Sequence, residues 1–302
     1  MNGGRRQRPF TVILAGLLLL SLVSGGCGGK PGSSAPSVEE PPRVVVDTTF
    51  LADIVRNVAG DLFEVISVVP EGVDPHAFEP SPRDAAVIAE ADMLVLTYMG
   101  LEPGLAELLQ AAVKRGTPVV DVSAGLLAVE TDPHLWLDPL AVVGYVSNIK
   151  TGLAGVLPSA ETQLKVNAEE YIRRLEDLDA WIREQVALIP EGNRLLVTEH
   201  ESLGRFAARY GFRVVGTLLP GQSTEGAPSA ERLATLVTAI KNTGAKAVFL
   251  EAGSPENLAQ QVARETGVQV VTDLHVHSLS EETPSYLEMM QWNVERIVAA
   301  LR

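Results

Sequence analysis

Eight short apolar runs, alternating with longer segments of helical periodicity, constrain this chain more than any other feature. The runs are VVVDT (44–48), EVISVV (64–69), MLVLT (93–97), PVVDV (118–122), RLLVT (194–198), RVVGTLL (213–219), KAVFLE (246–251) and VQVVT (268–272). They are continuously apolar rather than alternating, as in a parallel sheet covered on both faces. Helix-like stretches such as FLADIVRNVAG, SPRDAAVIAEA and SAERLATLVTAIKNTG separate them. Strand–helix–strand repetition implies right-handed crossovers. One stretch, Ser159 to about Ile189, is longer. Its Leu164, Ala168, Tyr171, Leu175, Leu178, Ile182 and Val186 fall at intervals of three and four, on a single stripe. Thirty helical residues span about 45 Å, enough for a rod between two lobes. A broken pair of helices packed in one lobe is the alternative. The expected fold is α/β: two lobes, each a mostly parallel sheet flanked by helices, joined by one long backbone helix. The expected divisions are an N-terminal lobe at 43–157, a linking helix at 158–190 and a C-terminal lobe at 191–302.

The first 42 residues read differently. Arg5, Arg6 and Arg8 precede the apolar segment Phe10 to Val23, which is short for a membrane span and ends in Ser24-Gly25-Gly26. Cys27 follows, the single cysteine of the chain, so no disulfide forms within it. This is the pattern of a lipoprotein signal (1–27) whose cysteine is acylated, although Ser24 stands where Leu is usual. Ordinary signal cleavage beside a free cysteine is the plainer alternative. Residues 28–42, rich in Gly, Ser and Pro, form a flexible tether. Without the first 27 residues, 21 basic side chains face 38 acidic ones. Such a surface repels nucleic acid.

In open parallel sheets, ligands bind beyond the carboxyl ends of the strands. His76 (in EGVDPHAFEP) follows run 64–69, His200 (VTEHESLGRF) lies two residues past run 194–198, and Asp273 (VVTDLHVHS) immediately follows run 268–272. His134 (TDPHLWLDP) lies further beyond run 118–122. Three imidazoles and a carboxylate, two groups from each half, can enclose one metal ion. Taken singly, a loop histidine is more often solvated or capping. Asp74-Pro75 and Pro80-Ser81-Pro82 stiffen the His76 loop. His134 repeats the Asp-Pro-His tripeptide, and Asp138-Pro139 reads as a helix cap followed by the first helical residue. Glu199 and Glu201 either orient His200 or are surface charge. His275 and His277 are read as a loop feature with a possible auxiliary metal role.

These residues resemble the zinc/manganese-specific solute-binding proteins of ABC transporters. The signatures are GVDPHAFEPSPRD, ADMLVLTYMGLEPGL, DPHLWLDP, HESLGRFAARYGF, the run from APSAERL through AVFLEAG, and TD with SYLEMMQWN downstream. The resemblance implies metal ligation by His76, His134, His200 and Asp273. It also implies a lipid-anchored monomer on the extracytoplasmic face that delivers its ion to a membrane permease and is not an enzyme. Ser123 to Thr131 is short and lacks the histidine-rich insertion that zinc-dedicated members often carry. Many manganese-selective members have glutamate where His200 stands. Three nitrogens and one oxygen favour Zn²⁺ over Mn²⁺. The rival reading is a zinc-dependent hydrolase, with an open metal position and Glu199, Glu201 or Glu251 as general base.

Overall fold

The computed structural model describes residues 40–97, 103–126 and 132–302. The signal, Cys27 and the tether up to residue 39 lie outside the described residues. The first sheet contains β1 (Arg43–Val46), β2 (Glu64–Ser67), β3 (Met93–Leu96) and β4 (Val119–Asp121), in the order β2-β1-β3-β4, all parallel. The second contains β5 (Leu195–Thr198), β6 (Arg213–Thr217), β7 (Ala247–Glu251) and β8 (Gln269–Leu274), in the order β6-β5-β7-β8, again all parallel. In each sheet the chain steps to one side of its first strand and then crosses to the other. The reversal opens a crevice at the carboxyl ends of the central strands.

Burial along the strands explains the unbroken apolar runs. Val44 and Val46 point into one apolar cluster, while Val45 points into another. Leu196 and Phe249 face the first cluster, and Val197 and Val248 face a third. The outer face of sheet one is covered by α2 (Pro82–Ala89) and α3 (Ala106–Arg115) through Ile88, Leu109 and Ala112. The outer face of sheet two is covered by α7 (Ala230–Thr243) and α8 (Asn257–Thr266) through Leu236, Ile240 and Val262.

The inner faces share one layer. It is built from α1 (Thr49–Ala59), α4 (Pro139–Val156), α5 (Glu161–Val186), α6 (Gly204–Tyr210) and α9 (Tyr286–Leu301), and their buried side chains join both sheets into one continuous core. Residues 41–302 form one compact unit. α5 is a single unbroken helix of 26 residues, about 39 Å long. Its buried stripe is the expected set plus Asp179. α4 begins where Asp138 was read as a cap, and the Asp138 side chain accepts from the Leu140 N–H.

Asp179 is a charged group inside this layer, and its partners explain how it is tolerated. It accepts hydrogen bonds from Arg209 Nε (2.7 Å), the Tyr210 hydroxyl (2.9 Å) and Arg183 Nε (3.1 Å). Arg209 Nε also lies 2.9 Å from Asp138 Oδ1, so α4, α5 and α6 meet at one guanidinium. Burial alone would raise the Asp179 pKa, but the bonds from Arg209, Tyr210 and Arg183 outweigh it and hold the group below the usual carboxylate range.

Asp179→Ala is expected to cost about 1–2 kcal/mol, the lower part of the range for orphaned polar partners, because Arg183 is half-exposed and screened. Thermal unfolding should shift down by roughly 2–8 °C. The sign with pH follows from a depressed carboxylate. The stabilisation is fully present above the ordinary aspartate value near 4 and is lost as pH falls through the lower folded value. The difference in midpoint between wild type and variant should therefore shrink in acid, which calorimetry at pH 7 and pH 3 would measure.

Candidate metal centre

Two Asp-Pro-His tripeptides build the first half of the site. After β2, Pro75–Ala77 forms a 3-10 turn, and Asp74 Oδ1 accepts from the His76 backbone N–H at 2.9 Å. In the second copy, Asp132 Oδ1 accepts from the His134 backbone N–H at 3.0 Å. The same oxygen lies 2.9 Å from His134 Nδ1, so it also fixes the ring. Proline restricts the backbone between the two residues, and the aspartate closes the turn onto the histidine. Gly204 leaves the room: a Cβ there would meet Asp132 Oδ2 at 2.7 Å.

The second half comes from the β5 and β8 loops. His200 follows β5, and its carbonyl accepts from the Thr198 hydroxyl at 2.8 Å. His277 follows β8, and its Nδ1 lies 2.7 Å from Glu251 Oε2. His200 Nδ1 lies 3.0 Å from Glu251 Oε1, an ion-pair distance off the line of a full hydrogen bond. Trp136 ties the halves together. Its Nε1 donates to the Val276 carbonyl at 2.7 Å, its ring stacks on Phe50 at 4.8 Å, and its own carbonyl accepts from the Tyr286 hydroxyl at 2.7 Å.

The outcome is four buried imidazoles facing one point. His76, His134, His200 and His277 each offer a ligand atom, and these atoms lie within 4.8 Å of one another. Their ring centroids are 4.9–6.0 Å apart. His134 Nε2 and His200 Nε2 approach to 3.4 Å. A zinc–nitrogen distance of about 2.0–2.1 Å in a tetrahedron implies nitrogen spacings of roughly 3.3 Å. His76 Nε2 and His277 Nε2 are buried with no protein partner. Orphaned nitrogens converging on one point are what a cation would satisfy.

The electrostatics agree with this. Burial, reinforced by the neighbouring rings, lowers the His76 pKa to about 2. Burial lowers that of His134 to about 4 despite the bond to Asp132. Both rings are therefore neutral at physiological pH and present lone pairs. Burial opposes charge on His277 and Glu251 too, but their mutual attraction and hydrogen bond prevail. They raise the His277 pKa and hold Glu251 well below the carboxylate range.

The structure does not bring Asp273 to the cluster. β8 runs on to Leu274, so Asp273 sits inside the strand rather than beyond its end. Its carboxylate pairs with Arg296 of α9 at 2.7 Å, its carbonyl accepts from Trp292 Nε1, and its side chain is 44% exposed. His277 takes the fourth place. His275 also lies outside: its backbone is clasped by Asn293 at 2.8 and 2.6 Å and its ring stands edge-on to Trp292. Glu199 acts on Glu251, accepting from its backbone N–H at 3.2 Å. Glu201 is exposed. The sequence reading missed Asp132, although the repeated tripeptide contained it. Glu251 entered only as a candidate general base, and no spacing rule links residue 251 to residues 200 and 277.

Gly204→Ala should displace the Asp132 carboxylate and release the His134 ring without touching a candidate ligand. Loss of such an outer partner costs about 10–100-fold in metal affinity. A fall of about tenfold for Zn²⁺, with secondary structure unchanged, is the outcome expected from chelator competition and circular dichroism.

Comparison with known proteins places this geometry in context. Residues 44–300 match the family described as zinc-uptake complex component A, periplasmic. The manganese-binding lipoprotein MntA of Halalkalibacterium halodurans is 29% identical over 294 residues, covering 94% of this chain and 96% of that protein. The iron-binding protein YfeA of Yersinia pestis is 29% identical over 265 residues, covering 84% and 85%. A solved structure of TroA, concerned with its metal-binding specificity, matches with a TM-score of 0.80 at 28% identity, covering 87% of this chain and all of that one.

Proposed function

The chain belongs to the zinc-uptake complex component A family, and from that premise we propose that it captures one divalent transition metal, Zn²⁺ in preference to Mn²⁺, for an ABC-type importer. The observation that carries this reading is the set of four buried imidazoles with ligand atoms within 4.8 Å of one another. An all-nitrogen donor set is borderline in softness and suits Zn²⁺, whereas Mn²⁺ favours carboxylate and carbonyl oxygen. Relatives are named for manganese and for iron, so family membership alone does not choose the ion.

Four protein ligands close a tetrahedral ion and leave no position for water, which is how binding sites differ from hydrolytic ones. Glu251 has an imidazole at each oxygen and none spare to activate water. Glu199 is engaged on the Glu251 backbone. Glu201, the third residue named for that role, is exposed and lies 3.9 Å from Arg232.

Capture outside the cytoplasm and delivery to a permease follow from the family role. Acylation of Cys27 would hold the protein at the membrane, with residues 28–42 as the tether, and the relative MntA is named a lipoprotein. No described helix is long and apolar enough to cross a membrane. The protein acts as a monomer in this reading, since both halves of the site come from one chain.

Two substitutions test the ligand set. His277→Ala should weaken Zn²⁺ binding at least 100-fold, because it removes a ligand and leaves Glu251 Oε2 without its hydrogen-bond partner. Asp273→Ala should change affinity less than about threefold. Purified variants would be titrated against a competing chelator and their zinc counted by elemental analysis. Retained zinc in the first variant with loss in the second would overturn the four-imidazole reading.

A further inference from the structure

A histidine that coordinates through Nε2 must keep its proton on Nδ1, and that proton needs an acceptor. Among the described residues, Glu251 offers an acceptor to two rings of the cluster at once. Oε2 is hydrogen-bonded to His277 Nδ1 at 2.7 Å, and Oε1 lies 3.0 Å from His200 Nδ1, within reach but off the hydrogen-bond line. The carboxylate stands at the end of β7, where the register against β8 shifts between Phe249 and Glu251. Glu199 holds its backbone. The two rings it serves are nearly parallel, 19° apart at 5.3 Å. The other ring pairs in the cluster meet edge-on, at 61–84°.

We propose that Glu251 is a positioning residue that locks His200 and His277 together in the Nδ1–H tautomer, so that the second half of the site presents its two nitrogens as one unit. This rests on the four-imidazole site above. It assigns the carboxylate a role that charge alone does not supply. A carboxylate has two acceptor oxygens and no donor, whereas an amide has one acceptor and one donor group. Glutamine at this position accepts from one ring and must donate to the other. The second ring then carries its proton on Nε2, aimed at the ion, and ceases to be a ligand. A carboxylate that merely supplied charge would leave both tautomers unchanged on amidation.

The test is long-range ¹H–¹⁵N correlation NMR of the imidazoles, in metal-free protein and in alkaline buffer that leaves the rings neutral. Wild type should show Nδ1–H at both His200 and His277. Glu251→Gln should switch one of them to Nε2–H and lower Zn²⁺ affinity about 100-fold. Glu251→Asp, which keeps two acceptor oxygens, should retain both tautomers. Either wild-type ring found as Nε2–H, or both rings unchanged in Glu251→Gln, would overturn the proposal. The wild-type measurement needs no variant and no metal, so it decides this point even if wild type proves not to bind Zn²⁺. That result would instead sink the proposed cargo.

Discussion

The site depends on two sheets being held at a fixed separation by one shared layer of helices. His76 and His134 come from the loops of the first sheet, and His200 and His277 from those of the second. An ångström of drift between the sheets would take two nitrogens out of reach of an ion bound by the other two. The continuous core prevents that drift. Phe50 of α1, Tyr171 of α5, Phe249 of β7 and Tyr286 of α9 belong to one cluster and are at most 1% exposed. Interiors packed this densely transmit strain rather than absorb it. The bond from Trp136 to the Val276 carbonyl carries the constraint to the ligands, since it joins residues two places from His134 and one place from His277.

Direct links across the crevice add to this. The Ser278 hydroxyl accepts from the Gly72 N–H at 2.7 Å, the Thr49 hydroxyl accepts from the Leu279 N–H at 2.9 Å, and the Thr224 hydroxyl donates to Asp74. Each pairs a residue near the first sheet's loops with one near the second's. The geometry is that of a braced frame with a preformed site, and little of the binding energy would be spent on ordering it.

Much of this was legible in the sequence because burial on both faces of a strand leaves an unbroken apolar run, and burial on one face of a helix leaves a stripe. Both signals are local. The stripe of α5 was read residue for residue except Asp179, whose burial depends on Arg209 and Tyr210 some thirty positions away. The same distinction separates the expected residues that the fold gathers into the cluster from Asp273, which it does not. His76, His134 and His200 lie in loops whose strands end at or before the end of their apolar runs. β8 continues through Asp273 to Leu274, past the last apolar residue of its run, because Arg296 and Trp292 of α9 satisfy an aspartate inside the strand. No local rule anticipates a partner on a helix twenty residues downstream. Glu251 was hidden for the same reason: its importance lies in two rings that the chain brings back to it.

Exchanging a carboxylate for a fourth imidazole also changes the charge balance. With Asp273 turned away, the negative charge facing a dication comes from Asp132 and Glu251, one shell further out, each reaching the ion through an imidazole. These charges are opposite in sign to a divalent ion, while every direct donor stays nitrogen. An oxygen-seeking ion such as Mn²⁺ gains nothing from a carboxylate it cannot touch, whereas Zn²⁺ gains because a hydrogen-bonded imidazole is the more basic ligand. His76 and His134 are neutral without the ion and have no proton to lose when it arrives. In the proposed reading, selectivity follows from where the carboxylates are placed: behind the rings, where they strengthen nitrogen donors, and not among them.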